Sequence, residues 1–261
     1  MLRIAFDLDG TLADMEPALE QIATRLFPDW DAARRGQAEP SAAAPSNLAA
    51  TRPVLPDDAA APASPPAHEP AATVADLTPE EEQLEPPSVR RLTRRQQAMI
   101  WDEVRHTENF WEFLPEIEPA IVSRIAAIAE ERRWEVIFIT TRPASAGDTT
   151  QRQSQRWLAA HGFPLPSVFV ASGSRGKIAA ALSLDVFVDD RPENCLDVKV
   201  DSQARAVLVL RDANAQTAAN ATRLGIDVLP TVGALLDELT APPPPKPSLL
   251  DRLKDAMGVR R

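Results

Sequence analysis

The chain opens on a short apolar run that ends in two acids and a glycine. Its first residues read Leu2-Arg-Ile-Ala-Phe-Asp-Leu-Asp-Gly-Thr-Leu12. Ile4 and Phe6 predict a buried strand, and a buried strand holds the residues at its end rigidly. Because side chains alternate along a strand, Asp7 and Asp9 should project to the same side. The fold must therefore bury a strand that delivers carboxylates at its carboxyl end.

Strands and helices alternate along much of the remaining chain. Short apolar runs predict further strands at 135–140, 167–170, 185–189, 204–210 and 227–229. Helical patterns lie between these runs, at 120–133, 153–161, 177–182 and 216–224. This alternation predicts an α/β fold with a parallel sheet and right-handed crossovers. Ligands of such sheets bind beyond the carboxyl ends of the strands.

One long stretch after the first strand breaks this alternation. Apolar residues at helical spacing predict a helix within 16–35, and helical patterns return over 88–112. Residues 37–87 contain eleven prolines and almost no apolar periodicity, which predicts a disordered Pro/Ala-rich insertion. We therefore expect an α/β core at 1–14 and 116–240, with a small helical cap at 15–36 and 88–115 inserted after its first strand.

The last residues, 241–261, predict a Pro-rich linker and a short tail helix. Prolines favour an extended spacer over 242–247. One face of the following helix would carry Leu249, Leu250, Leu253, Ala256 and Met257. Docking of this face on a protein partner or on lipid is one interpretation, and a tail without a specific partner is the other.

Composition narrows the function classes. The net charge of the 261 residues is −10, so binding of duplex nucleic acid, which needs clustered Lys and Arg, is not expected. The single cysteine, Cys195, excludes an internal disulfide and favours a reducing cytoplasm. No signal peptide is recognisable, and the apolar runs are shorter than the roughly 20 residues that a transmembrane helix needs.

Three further motifs place polar residues at predicted strand ends or before a helix. They read Val136-Ile-Phe-Ile-Thr-Thr-Arg-Pro143, Ser174-Arg-Gly-Lys-Ile178 and Asp185-Val-Phe-Val-Asp-Asp-Arg-Pro192. Together with the first motif they resemble the haloacid dehalogenase (HAD) superfamily, over about residues 1–14 and 116–236. Within that superfamily they are most similar to the cytosolic-type deoxyribonucleotidases and their bacterial relatives.

The resemblance implies a Rossmann-like core and a Mg²⁺-dependent phosphomonoester hydrolase. Asp7 would be the nucleophile and form an aspartyl phosphate, while Asp9 would protonate the leaving oxygen and then activate water. Asp9 also favours phosphate over carbon–halogen chemistry, because the dehalogenase branch lacks this aspartate. The implied metal ligands are the Asp7 carboxylate, the Asp9 backbone carbonyl and a carboxylate of Asp189 or Asp190.

The substrate phosphate would be held by residues of the second and third motifs. The expected contacts come from Thr140, Thr141, Lys177 and Arg142. Lys177 would also keep Asp7 ionised. Arg142 has two interpretations, since it could grip the substrate or pair with acids. Trp101 and Trp111 could stack on a base, but they fit the apolar core of the cap better.

The expected substrate is a small phosphorylated metabolite, with a nucleoside monophosphate as one candidate. A phosphosugar phosphatase and a nucleic-acid end phosphatase are alternative enzymes, although the acidic charge argues against the second. A protein that keeps the fold and binds partners without catalysis is an alternative from a different class.

Overall fold

A computed structural model describes residues 1–28, 81, 84, 87–212 and 214–242 of the chain. Its β-strands are β1 Arg3–Asp7, β2 Glu135–Thr140, β3 Ser167–Val170, β4 Val186–Asp189, β5 Arg205–Val209 and β6 Asp227–Leu229. Its α-helices are α1 Glu16–Leu26, α2 Pro87–Arg90, α3 Arg94–His106, α4 Ile121–Arg132, α5 Thr150–Ala160, α6 Arg175–Ala181, α7 Pro192–Asp201, α8 Ala215–Arg223 and α9 Val232–Thr240. A short 3-10 helix spans Phe110–Glu112.

The six strands form one parallel sheet in the order β3-β2-β1-β4-β5-β6. The predicted α/β, Rossmann-like fold is thereby confirmed. β1 lies inside the sheet, where Phe6 pairs with Phe138 of β2 and with Val188 of β4. The chain builds β2 and β3 on one side of β1 and then returns to place β4 on the other side. Ligands of doubly wound sheets bind at such a reversal point, here beyond the carboxyl ends of β1 and β4.

One face of the sheet packs on helices α6, α7 and α8 through a continuous apolar cluster. Ala5, Phe187 and Leu208 of three strands meet Ala179 of α6 and Val198 of α7 there. Small residues at several of these positions let the helices approach the sheet closely. The cluster fixes the carboxyl ends of β1 and β4 in a rigid frame.

Cys195 of α7 belongs to the same cluster and is fully buried. Its Sγ atom donates to the backbone carbonyl of Val207 at 3.6 Å. Burial raises the pKa of this thiol far above its usual range, and the negative charge of Asp189 raises it further. Cys195 is therefore a neutral packing residue.

The described residues fall into two units by their contacts. The first unit contains the described residues within Met1–Ala13, Glu116–Thr140 and Leu158–Arg261. The second unit contains the described residues within Asp14–Pro115 and Thr141–Trp157. Residues 141–157, which the sequence pattern assigns to the core, thus cluster with the helical unit. Two backbone bonds of Ala146 contribute to this, since its N–H donates to the Arg105 carbonyl and its own carbonyl accepts from the Asn109 N–H, both at 2.8 Å.

Two of the helices have no counterpart among those predicted from the sequence. α7 begins at Pro192, and proline suits the first turn of a helix because it lacks the N–H that would stay unpaired there. α9 begins after Thr231, whose side chain accepts from the Ala234 N–H as an N-cap. Pro192 and Thr231 are ordinary signals for the start of a helix, but each helix is only about ten residues long, so its apolar repeat in the sequence is short. Among the described residues, none of the helices combines the length and apolar character needed to cross a membrane.

The predicted insertion over 37–87 lies outside the described residues except near its end. There Glu81 and Leu84 are both buried, and the Glu81 carboxylate forms an ion pair with the Arg105 guanidinium of α3. The prediction of disorder therefore does not hold at these two residues. The predicted tail helix lies outside the described residues as well.

The ion pair of the buried Glu81 carboxylate with the partly exposed Arg105 should contribute strongly to the stability of the helical unit. We expect Arg105→Met to lower the free energy of unfolding by about 3–5 kcal/mol, because it leaves a fully buried carboxylate without its guanidinium. Arg25→Met removes an exposed arginine paired with Glu103 and should cost about 1 kcal/mol or less. Urea unfolding of both variants measures the difference. Equal losses in the two variants would show that the Glu81 contact is not formed.

Candidate active site

Three carboxylates meet at the carboxyl ends of the two central strands. Asp7 is the last residue of β1, Asp189 is the last residue of β4, and Asp190 follows it. One carboxylate oxygen from each lies within 4.8 Å of the others. Carboxylate oxygens at this spacing suit a hard divalent cation such as Mg²⁺. The structure thus brings together three of the four predicted metal-binding aspartates through their carboxylates.

The charges of this cluster oppose one another in a buried place. Burial raises the pKa of Asp7 well above its usual value, the neighbouring Asp189 raises it further, and Arg175 lowers it. Burial also raises the pKa of Asp189 to about 7, and Asp190 adds to this shift. Both carboxyls therefore resist ionisation together. A divalent cation among them would remove this resistance, so the acids fit the implied Mg²⁺ in chemistry as well as in spacing.

Hydrogen bonds fix the Asp189 carboxylate from two directions. The backbone N–H of Arg191 donates to its Oδ1 at 2.8 Å, and the Asn194 side-chain amide donates to its Oδ2 at 2.9 Å. Both donors oppose the rise in pKa that burial causes. The two donors consequently hold the Asp189 carboxylate in one orientation, and they stabilise its ionised form in part.

Asp9 lies in the turn that follows β1 and is also buried. Its carboxylate accepts from the Thr140 hydroxyl at the end of β2, at 3.1 Å. In the same turn the Thr11 hydroxyl donates to Asp190, also at 3.1 Å. Gly10, between them, has φ of 84°, and a Cβ atom there would overlap the Asp190 carboxylate. Glycine is therefore required for the turn to close over this acid.

Arg175 is the cation that the structure places beside Asp7. Its guanidinium Nη2 lies 3.5 Å from Asp7 Oδ1, and both side chains are buried. A second nitrogen, Nη1, donates to the Ala171 carbonyl at 2.9 Å. The Nε atom is buried with no hydrogen-bond partner among the described residues. An arginine held in this way has donor capacity left for an anionic ligand.

Lys177, the cation predicted for this role, is exposed on the same helix. The Ser174 side chain caps α6 by accepting from the Lys177 N–H, so the helix begins at Arg175. Successive helical residues are turned by about 100°, which puts Arg175 and Ala179 on one face and Lys177 on nearly the opposite one. Arg175 and Ala179 are both buried. The rotation of α6 about its axis thus brings Arg175, and not Lys177, beside Asp7.

Thr141 and Arg142, also predicted to contact phosphate, belong to the second unit. The Arg142 guanidinium lies 5.0 Å from the ring centre of Trp111 and 5.7 Å from that of Trp157. Its Nη1 donates to the Ser154 hydroxyl at 3.1 Å, and the whole side chain is 2% exposed. Cation–π contacts of this kind stabilise a packed core. These contacts favour a packing role for Arg142.

No family model matches the sequence, and none of the curated proteins matches it. Among solved structures, the chain is similar to a protein of Thermotoga maritima assigned as a β-phosphoglucomutase. The two share 17% sequence identity with a TM-score of 0.46, over 92% of this chain and 98% of that one. A likeness at this level decides nothing by itself, so the fold rests on the strand order and the site on its own geometry.

The raised pKa of Asp189 predicts how metal-free stability depends on pH. Since this carboxyl titrates near 7 when folded and near 3.8 when unfolded, the folded chain holds the extra proton between these values. Stability without metal should therefore fall as the pH rises from about 4 to about 7. Asp189→Asn should make this fall shallower and raise Tm at pH 8, by about 2–4 °C for each kcal/mol of relieved repulsion.

Calorimetry in EDTA across this pH range measures the effect. Asp185→Asn is the matched control, because Asp185 is exposed near the opposite end of the same strand and accepts from the Arg3 N–H. An unchanged pH dependence in Asp189→Asn would contradict the proposed repulsion within the aspartate cluster.

Proposed function

We propose that the chain is a Mg²⁺-dependent phosphomonoester hydrolase of the haloacid dehalogenase type, with Asp7 as its nucleophile. One observation carries this proposal. Asp7 ends a central strand at the reversal point of the sheet, with a buried guanidinium 3.5 Å away and two more carboxylates within 4.8 Å. A phosphoryl group needs this combination of a fixed oxygen nucleophile and surrounding positive charge.

The first chemical step would transfer the phosphoryl group to the protein. A carboxylate oxygen of Asp7 attacks the phosphorus, the bond from phosphorus to the ester oxygen breaks, and an acyl phosphate forms on Asp7. Asp9 donates a proton to the departing oxygen, which leaves as an alcohol. The Thr140 hydroxyl orients the Asp9 carboxyl for this transfer.

The second step would regenerate the carboxylate. Asp9, now ionised, accepts a proton from a water molecule whose oxygen attacks the phosphorus. The bond between phosphorus and Asp7 breaks, and inorganic phosphate leaves. Asp7, Asp189 or Asp190, and the Asp9 carbonyl would hold Mg²⁺. When bound, the ion supplies positive charge between the acids and the phosphate oxygens.

Arg175 would bind the phosphate oxygens in place of Lys177. Its planar guanidinium presents several donors in fixed directions, which suits an oxyanion better than a single ammonium does. It also opposes the rise in the pKa of Asp7 and so favours the ionised nucleophile.

The proposed substrate is a small phosphorylated metabolite. A nucleoside monophosphate is the first candidate, because Ile-Thr-Thr-Arg-Pro and Val-Asp-Asp-Arg-Pro-Glu-Asn resemble the deoxyribonucleotidase motifs. Phosphosugars and phosphorylated nucleic-acid ends are the alternatives. We place the reaction in the cytoplasm, where the single buried cysteine suits a reducing environment.

Phosphate release from a panel of phosphomonoesters tests the proposal. The panel contains nucleoside and deoxynucleoside monophosphates, sugar phosphates and 5′- and 3′-phosphorylated oligonucleotides. We expect release that requires Mg²⁺ and that Asp7→Asn lowers by on the order of 10³-fold or more, because the nucleophile is lost. Asp185→Asn should keep full activity. If the wild type releases no phosphate from any member with Mg²⁺, the interaction-protein alternative replaces this proposal.

The choice between Arg175 and Lys177 has its own test. We expect Arg175→Gln to lower kcat/KM by about 10²-fold or more, since a donor to the transferring phosphoryl group is removed. Lys177→Gln should leave kcat/KM nearly unchanged, because the lysine is exposed. Steady-state kinetics on the best substrate of the panel measures both. A larger loss in Lys177→Gln would restore the assignment made from the sequence.

A further inference from the structure

Arg211, two residues beyond β5, donates hydrogen bonds to the turn that carries Asp9. Its Nη1 donates to the Gly10 carbonyl at 2.5 Å, and its Nη2 donates to the Thr11 carbonyl at 2.7 Å. The two bonds join residues about 200 positions apart in the chain. A guanidinium can make such a paired contact because its donors lie in one plane and point in fixed directions.

Glu118, which lies just before α4 and accepts from the first N–H groups of α9, contacts Arg211. Glu118 Oε1 lies 3.5 Å from Arg211 Nη2 and also accepts from the Val232 N–H at 2.7 Å. Its Oε2 accepts from the Gly233 N–H at 2.9 Å. A carboxylate at a helix N-terminus is favoured by the first free N–H groups. The turn, the arginine, the glutamate and the helix end thus form one connected network.

The internal hydrogen bonds of the turn leave these two carbonyls to Arg211. The N–H groups of Leu12 and Ala13 both donate to the Leu8 carbonyl, and the Gly10 N–H donates to the Ala13 carbonyl. The carbonyls of Gly10 and Thr11 therefore lie outside this internal set. Arg211 donates to both carbonyls, and it thereby links the turn after β1 to the end of β5 and to Glu118.

The turn bears the proposed proton donor, Asp9, and a hydroxyl that contacts one of the candidate metal-binding aspartates. Asp9 lies one residue before Gly10, and the Thr11 hydroxyl contacts Asp190. The carboxyl of Asp7, by contrast, is fixed by β1. Movement of the turn would displace the proton donor relative to a nucleophile that stays in place.

We propose that Arg211 is a positioning residue for the reaction. By binding the backbone carbonyls of Gly10 and Thr11, it would fix the position of Asp9 and of the Thr11 hydroxyl. The inference rests on the proposed function, since it concerns the geometry of the same site. It assigns Arg211 no contact with the substrate or the metal.

Kinetics of Arg211→Ala tests this inference. We expect kcat to fall about 10- to 100-fold, because small displacements of a catalytic group are costly, while KM changes little. Added guanidinium at millimolar concentration should restore part of kcat, since the Arg211 side chain is 29% exposed and its place is reachable from solvent. Arg211→Lys should be intermediate, because one ammonium cannot make the same paired contact.

Arg205→Ala is the matched control. Arg205 begins the same strand, and its ion pairs are with Asp227 and Glu238, away from the turn. We expect it to keep kcat and to show no response to guanidinium. Equal losses of kcat in the two variants, or equal responses to guanidinium, would reduce Arg211 to a stabilising residue and overturn the inference.

Hydrogen exchange of residues 8–13 supplies a reading that does not depend on activity. Exchange should quicken in Arg211→Ala and stay unchanged in Arg205→Ala. Unchanged exchange, or faster exchange with a normal kcat, would overturn the positioning role. An inactive wild type would instead overturn the proposed function, while the exchange rates would still show whether Arg211 fixes the turn.

Discussion

Mutual repulsion among three carboxylates, two of them buried, is the interaction around which the described site is arranged. Asp7 and Asp189 come together because β1 and β4 are neighbours, and Asp190 follows directly. Placing unpaired charges in a protein interior is expensive. The surrounding groups offset this cost with donors: the Arg175 guanidinium, the Arg191 N–H, the Asn194 amide and the Thr11 hydroxyl. The incomplete balance that remains is what makes the cluster receptive to a cation.

The strands and their acids could be predicted from the sequence because both depend on local signals. A short apolar run predicts a buried strand, and Asp7 and Asp189 directly follow such runs of three residues, Ile-Ala-Phe and Val-Phe-Val. All six strands lie where the apolar runs predict them. Only β4 and β5 differ from the predicted bounds, by one residue at one end of β4 and at each end of β5. The meeting of Asp7 with Asp189 then follows from the order of the strands in a parallel sheet.

Other parts of the site depend on distant or finely balanced contacts. Arg175 and Lys177 are two residues apart, and the packing of α6 decides which of them is buried. Arg211 reaches Gly10 across about 200 residues, and nothing in the sequence around it marks that contact. Residues 141–157 cluster with the helical unit through backbone bonds of Ala146 and through side-chain contacts such as that of Arg142 with Trp111, all between residues far apart in the sequence. Single-sequence reasoning fails where tertiary contacts choose among locally equal options.

The burial of Cys195 gives the chain a built-in reporter. It is the only cysteine in the sequence, and its sulfur lies between α7 and the sheet beside the strand that ends in Asp189. A thiol-selective reagent can label it only after α7 has moved away from the strands. The rate of labelling therefore measures the opening of this helix in the unmodified protein, without any introduced probe. A ligand that binds the aspartate cluster and stabilises this part of the fold should lower the rate of Cys195 labelling.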